Sequence, residues 1–337
     1  MRIACITTTI NVPHVLALYA KYGPDVMFFV IGDRKTPDED VVVFLQENVP
    51  NHAYYGIDAQ YKLGYKCARL IPENCIQRRN IGFLEALKWG ADIVVSIDDD
   101  NIPIGDYFST FQKFCGASIQ ASAASGWFDV GEMLSPRASH RGFPRIKKSP
   151  LIFNAAIAGQ IGVFAGICLG DPDIDAVERI ANGPTVHGVS EILRSGVVVD
   201  PKSTWTVFNS QNTAVVRELV PAWFMIPFIG RADDIFASLI VQRVMRETGL
   251  YTHFGSPFVF QQRNQHDLLK DLVNELLCMQ QVLPLAKWLN DYLYMNDDKS
   301  VLSRVRRIWE GMSDNILPAK SIDAAKAWCD DCEAVMK

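Results

Sequence analysis

Residues 97–101 read Ile-Asp-Asp-Asp-Asn, three consecutive carboxylates directly after the apolar run Ala91–Ser96. Like charges this close raise the cost of one another's ionisation, so such a knot at the end of a buried strand calls for a counter-charge. On an extended chain, positions i and i+2 project to the same side. Asp98 and Asp100 are therefore expected to share one hard cation, Mn2+ or Mg2+, through oxygen ligands. Mg2+ is commonly held by one or two carboxylates with substrate phosphates completing the shell, which suits a diphosphate-bearing substrate. A solvated acidic turn or a helix N-cap cluster is the competing reading of the same residues.

The elements that must position this knot alternate over the first hundred residues. A strand at Arg2–Thr9, a short helix closed by Gly23, and a second strand at Asp25–Asp33 come first. A helix opened by Thr36 as N-cap, with Pro37 at its first position, follows. Next come a shorter strand and helix near 52–64 and a helix over 71–90 ended by Gly90. The strand that precedes the carboxylates is apolar on both faces. Such alternation argues an α/β fold with a mainly parallel central sheet and flanking helices. In these sheets ligands bind beyond the carboxyl ends of the strands, where Thr7–Thr9, Asp33 and Asp98–Asp100 fall.

Past Gln265 the pattern turns helical. Leu268, Leu272, Leu276 and Leu277 share a face, Pro284 reads as a break, and two more helices follow. The expected organisation is 1–264 as one domain, with 1–102 as its nucleotide half and 103–264 as its donor-sugar and acceptor half. Residues 265–337 form a helical C-terminal extension.

The formal net charge of -5 does not suggest general affinity for nucleic acid or anionic membrane. The uncharged stretch Leu151–Gly170 is long enough for a bilayer. It lacks an aromatic belt and basic flanks and reads better as a buried strand and loop. The eight scattered cysteines fit reduced thiols and a cytoplasmic location. Cys329 and Cys332 form a lone CxxC, read as two helix cysteines rather than half a zinc site. No G-x-G-x-x-G follows the first strand and no Walker-type loop occurs, which argues against a dinucleotide dehydrogenase and a P-loop NTPase. HExxH and GxSxG are absent too.

Several short motifs run in collinear order: the first-strand threonines, Val30–Pro37, Gln77–Ala86, Val95–Asn101, His140–Arg145, Leu169–Ala176, Val207–Val215, Gly230–Val244 and Gly255–Asn264. In this order, from about Met1 to Leu272, the chain resembles the nucleotide-sugar glycosyltransferases of GT-A type. More narrowly it resembles the reversibly glycosylated polypeptides (UDP-arabinopyranose mutases) and STELLO proteins of plants. The resemblance implies a GT-A fold and a metal-dependent transfer of sugar from a nucleoside diphosphate sugar, UDP-sugar favoured, to an acceptor hydroxyl on a small molecule or glycan.

By that resemblance Asp98 and Asp100 bind the metal with Asp99 nearby. Thr7, Thr8, Thr9 and Asp33 surround base and ribose, and Arg78, Arg79 and Asn80 lie close to the nucleotide. Asp171, Asp173 and Asp175 lie near the donor sugar, or else are capping carboxylates. Asp234 is the expected general base, with Asp233 beside it; a helix N-cap is the alternative role. Where many GT-A enzymes supply a late histidine as third metal ligand, this chain has Gln261 and its nearest histidine is His266, so the metal is expected to rest on Asp98 and Asp100 with Gln261, with His266, or with neither. The arginine that becomes glycosylated in the mutases is Lys148 here, which counts against mutase activity. The basic segment Arg137–Lys148, with Arg141, is a candidate lid over the diphosphate, and Trp127 and Trp205 are candidate stacking platforms. A nucleotide-sugar mutase and a non-catalytic nucleotide-sugar-binding protein are the alternatives, and a homo-oligomer is left open.

Overall fold

The computed structural model describes residues 1–112, 115–262, 267–292 and 300–337. Alternation along the first strand organises the amino-terminal half. On β1 (Ile3–Thr8), Ala4 and Ile6 point to one face and Ile3 and Cys5 to the other, the period of two expected of a strand. Two helices cover the second face, α1 (Leu16–Tyr22) and α2 (Asp38–Asn48), through Leu16, Tyr19, Val41 and Leu45. The first face is covered by α4 (Arg79–Trp89), through Ile81, Leu84 and Leu87. Gly90 ends α4 with φ +83°, a left-handed conformation that glycine adopts without a Cβ clash. Strands β2 (Met27–Ile31), β3 (His52–Tyr55) and β4 (Ile93–Ile97) complete a parallel set in the order β3-β2-β1-β4. The short helix α3 (Ile57–Lys62) follows β3.

Beyond β4 the sheet is mixed rather than mainly parallel. The remaining members of the ten-stranded sheet are β5 (Asn101–Ile104), β6 (Cys115–Ala123), β8 (Leu151–Gly170), β10 (Val197–Val199), β11 (Asn212–Val216) and β12 (Leu250–Gln261). Antiparallel β11 joins β4 to β8, and β8 pairs with β6 at its start and with β12 at its end. A separate two-stranded ladder pairs β7 (Leu134–Ser135) with β9 (Gly188–Val189), near the small helices α5 (Ala176–Ala181) and α6 (Glu191–Ser195). The uncharged stretch 151–170 is this single long strand, exposed over its first half and buried over its second. No described helix is long and apolar enough to cross a membrane.

Helix α7 (Asp233–Met245) is buried along its whole length. The carboxy-terminal helices α8 (Leu268–Asp291), α9 (Val301–Gly311) and α10 (Ala319–Met336) pack into the same hydrophobic cluster as α4 and α7. Pro284 does not break α8, which runs through it. The face that α8 buries is also unexpected. Asp271, Glu275, Cys278 and Val282 go inward, while Leu276 is exposed and Leu268, Leu272 and Leu277 are half-buried. Burying carboxylates is costly without a cation, and Arg231 supplies it, 2.9 Å from Glu275 and 3.8 Å from Asp271. On α10, Cys329 and Cys332 are buried core residues with free thiols. Thr36 does not cap α2; its hydroxyl donates to the Thr9 carbonyl and accepts from the Asp33 N–H, fastening the ends of β1 and β2 together.

Candidate functional site

A cavity of about 720 Å3 opens beyond the carboxyl ends of β1, β2 and β4. The acidic residues 98–100 form one wall. They do not continue β4 as extended chain, because the Asn101 N–H returns to the Asp98 carbonyl at 3.3 Å and makes a turn. The i, i+2 geometry expected of a strand is therefore replaced by a turn that fans the three carboxylates towards different partners. Arg79 meets Asp98 at 2.7 Å, Thr9 donates to Asp99 at 2.5 Å, and Gln261 donates to Asp100 at 3.0 Å. Burial, reinforced by Asp98 and Asp100, raises the pKa of Asp99.

Arg78 and Arg79 are not an exposed helix face. Both are wholly buried and both line the cavity. Arg79 donates to Ser96, Ser210, Thr8 and Asp98, so one guanidinium joins the ends of β1 and β4 to the chain before β11. Arg78 is fixed by Gln60 and by the carbonyls of Ala68 and Ile71, and its Nη2 has no hydrogen-bond partner among the described residues. A buried, unsatisfied guanidinium nitrogen at a cavity wall is suited to an anionic ligand. Asp33 also lines the cavity and accepts from the Arg34 and Cys75 N–H groups.

The opposite end is built around Arg141. Its Nε contacts Asp173 at 2.8 Å and its Nη2 contacts Asp234 at 2.9 Å, with all three groups buried. The Arg141 guanidinium holds Asp173 well below the usual carboxylate range, although burial alone would raise it. Asp234 also accepts from the Ser210 N–H and hydroxyl. Its oxygens are thus committed to fixed donors. Asp233 lines the same cavity and has a lighter set of partners, with Gln77 donating to it at 2.7 Å. Burial and the neighbouring Asp234 push the Asp233 carboxyl up to about 7, the value that suits a group exchanging protons near neutrality. The N-cap position of α7 is held by Ala232, so neither aspartate stands there.

Thr8, Thr9, Asp33, Arg78, Arg79, Asp98, Asp99, Asp100, Arg141, Asp173, Asp233, Asp234 and Gln261 therefore line one cavity although 253 positions separate the first from the last. Others among the expected residues do not reach it. Thr7 is buried in β1, and Asn80 is held by the backbone of Met225. Lys148 pairs with Glu132 at 2.6 Å, away from the cavity. Asp171 pairs with Arg179, while Asp175 caps α5 and binds Arg145 at 2.7 Å, so of these three carboxylates only Asp173 faces in. Gln261 reaches the acidic turn as a donor to Asp100, with its oxygen taken by Gln211; it steadies a carboxylate instead of offering a ligand oxygen. His266 lies outside the described residues. Trp127 and Trp205 are buried and stack on one another, with centroids 6.1 Å apart.

The sequence reading passed over Gln77, Ser210, Arg231 and Asn274, all of which line the cavity. Gln77, Ser210 and Arg231 lie inside motifs that carry the resemblance, yet only the fold shows that Ser210 bridges Arg79 to Asp234. Among the described residues no three His, Cys, Asp or Glu side chains are grouped as a metal cage. The donor set fits a hard cation only if substrate oxygens complete the shell of Asp98 and Asp100.

No protein-family model and no curated protein matches the chain. Among solved structures it is similar to a putative glucose-1-phosphate thymidylyltransferase from Bacillus anthracis in complex with a sucrose, at 11% identity over 88% of this chain and 98% of that chain, with a TM-score of 0.32. A likeness of that degree carries no argument about activity.

Proposed function

We propose that the chain is a metal-dependent glycosyltransferase of GT-A type that moves a sugar from a nucleoside diphosphate sugar, UDP-sugar favoured, to an acceptor hydroxyl. The observation that carries this reading is the convergence on one cavity of an acidic turn, a buried arginine pair and a carboxyl raised to about 7. Arg78 and Arg79 take the diphosphate side. Asp98 and Asp100 would hold Mn2+ or Mg2+, which when bound neutralises charge on the departing nucleoside diphosphate. Asp33, Thr8 and Thr9 take the nucleoside side.

Of the two carboxylates at the start of α7, Asp233 is the better base. Asp234 is locked by Arg141 and Ser210, whereas Asp233 is held by Gln77 with its proton affinity near neutral. Asp233 accepts the acceptor hydroxyl proton as that oxygen attacks the anomeric carbon and the bond to the nucleoside diphosphate breaks; Asp234 holds Arg141 in place.

The test is calorimetric titration with UDP, GDP, dTDP and ADP, with and without Mn2+, on the wild type and on Asp98→Ala/Asp100→Ala. Metal-dependent tightening for one nucleotide, lost in the variant, is the expected result. Absence of metal-dependent binding to all four would remove the donor-site reading and leave the acidic turn a structural element.

A further inference from the structure

The outward face of α8 has the wrong chemistry for water. Leu269, Val273, Leu276, Gln280 and Leu283 follow one another at steps of four, three, four and three, the spacing of a helix-packing seam. Leu269 is 69% exposed and Val273 66%, and Leu276 and Met279 are exposed as well. Beside α8 packs α5, whose Val177 and Ile180 are also exposed and widen the strip. The polar side of α8 is already used inside, where Asp271 and Glu275 hold Arg231.

We propose that this face is the contact between two copies of the chain, packed with α8 antiparallel to its counterpart across a two-fold axis at Leu276. Three features select a second copy. First, antiparallel pairing about Leu276 sets Leu269 on Leu283 of the other copy and Val273 on Met279, apolar on apolar, with Gln280 opposite Leu272 at its side. Second, the seam residues carry no charge, so self-pairing brings no like charges together. Third, the area is sufficient. A standard interface buries about 800 Å2 per partner, with about 65% of it apolar in homodimers, and the six exposed side chains present roughly 500 Å2 of apolar surface.

Sedimentation velocity on the full chain from about 1 to 100 μM tests this directly, with no dependence on nucleotide binding. The wild type is expected to sediment as a dimer. Leu276→Asp and Leu276→Lys are each expected to sediment as monomers, with circular dichroism and melting unchanged because the side chain is exposed. An equimolar mixture of the two variants is expected to recover the dimer, since opposite charges then meet at the axis. A wild type that stays monomeric at 100 μM would overturn the proposal, as would a dimer indifferent to both substitutions. Co-sedimentation of a monomeric wild type with phosphatidylcholine/phosphatidylserine vesicles would assign the face to a bilayer instead.

Discussion

Asp98–Asp100 and Asp233–Asp234 each set adjacent carboxylates beside a buried arginine, Arg79 in one case and Arg141 in the other. At the acidic turn Asp98 is open to solvent, with 37% of its side chain exposed, and Arg79 spreads its hydrogen bonds over neutral oxygens as well. Water reaches the Asp98 carboxylate and a further cation can approach it, while the more enclosed Asp99 has its pKa raised by burial. At the start of α7 everything is buried. Arg141 is spent on Asp173 and Asp234, which leaves Asp233 as the surplus acid. A surplus charge in low dielectric lowers its energy by binding a proton. Under the proposed function, this difference in burial assigns the cation to the acidic turn and the proton to the pair on α7.

The comparison is sharpest at the arginines. Arg141→Met strands Asp173 and Asp234 in the interior, and removing one partner of such a buried network costs about 3–5 kcal/mol. Arg79→Met frees a half-open Asp98 and unsatisfies neutral groups, for about 1–3 kcal/mol. Equal losses on urea denaturation would erase the distinction drawn between the two ends.

Function separates them next. Asp233→Asn is expected to reduce transfer by about 10²–10⁴-fold with nucleotide affinity unchanged. Asp98→Ala/Asp100→Ala is expected to lose metal-dependent nucleotide affinity itself. If Asp233→Asn retained transfer and Asp234→Asn abolished it without lowering stability, the roles assigned to the pair would be reversed.

The pH dependence gives a smaller effect with a definite sign. A carboxyl whose folded pKa is raised binds its proton more tightly in the folded state, so its contribution falls as pH rises from the unfolded value near 4 to about 7. Asp129, also raised to about 7 by burial, acts in the same window, and the buried His253, lowered to about 4, acts oppositely there. The difference between Asp233→Asn and the wild type isolates one group. Relative to the wild type the variant should gain stability between about pH 4 and 7 and then level off. A difference that is flat across that range would place the Asp233 pKa near its ordinary value. The smallest effect is expected from Lys148→Ala, within about 0.5 kcal/mol in stability and without change in nucleotide affinity, because its partner Glu132 lies away from the cavity.

Local rules made much of this legible in the chain. The period of two in Ile3–Thr8, the glycine at position 90 and the apolar run before Asp98 suffice to place β1, the end of α4 and β4, and with them the acidic turn at a strand end. The elements that failed to follow local rules are those where a distant partner outbid them. Thr36 gives up a cap to tie two loops, and α8 turns its leucines outward because Arg231 takes its acids. Asp171, Asp173 and Asp175 share a spacing, yet only one finds Arg141.

The sequence by itself determined which residue types stand at which strand and helix ends, because propensity and periodicity act over a few residues. It could not determine which of two adjacent aspartates is free to accept a proton. That depends on burial and on a guanidinium 93 positions away in the chain, and such terms exist only once the tertiary structure has excluded water and brought Arg141 to Asp234.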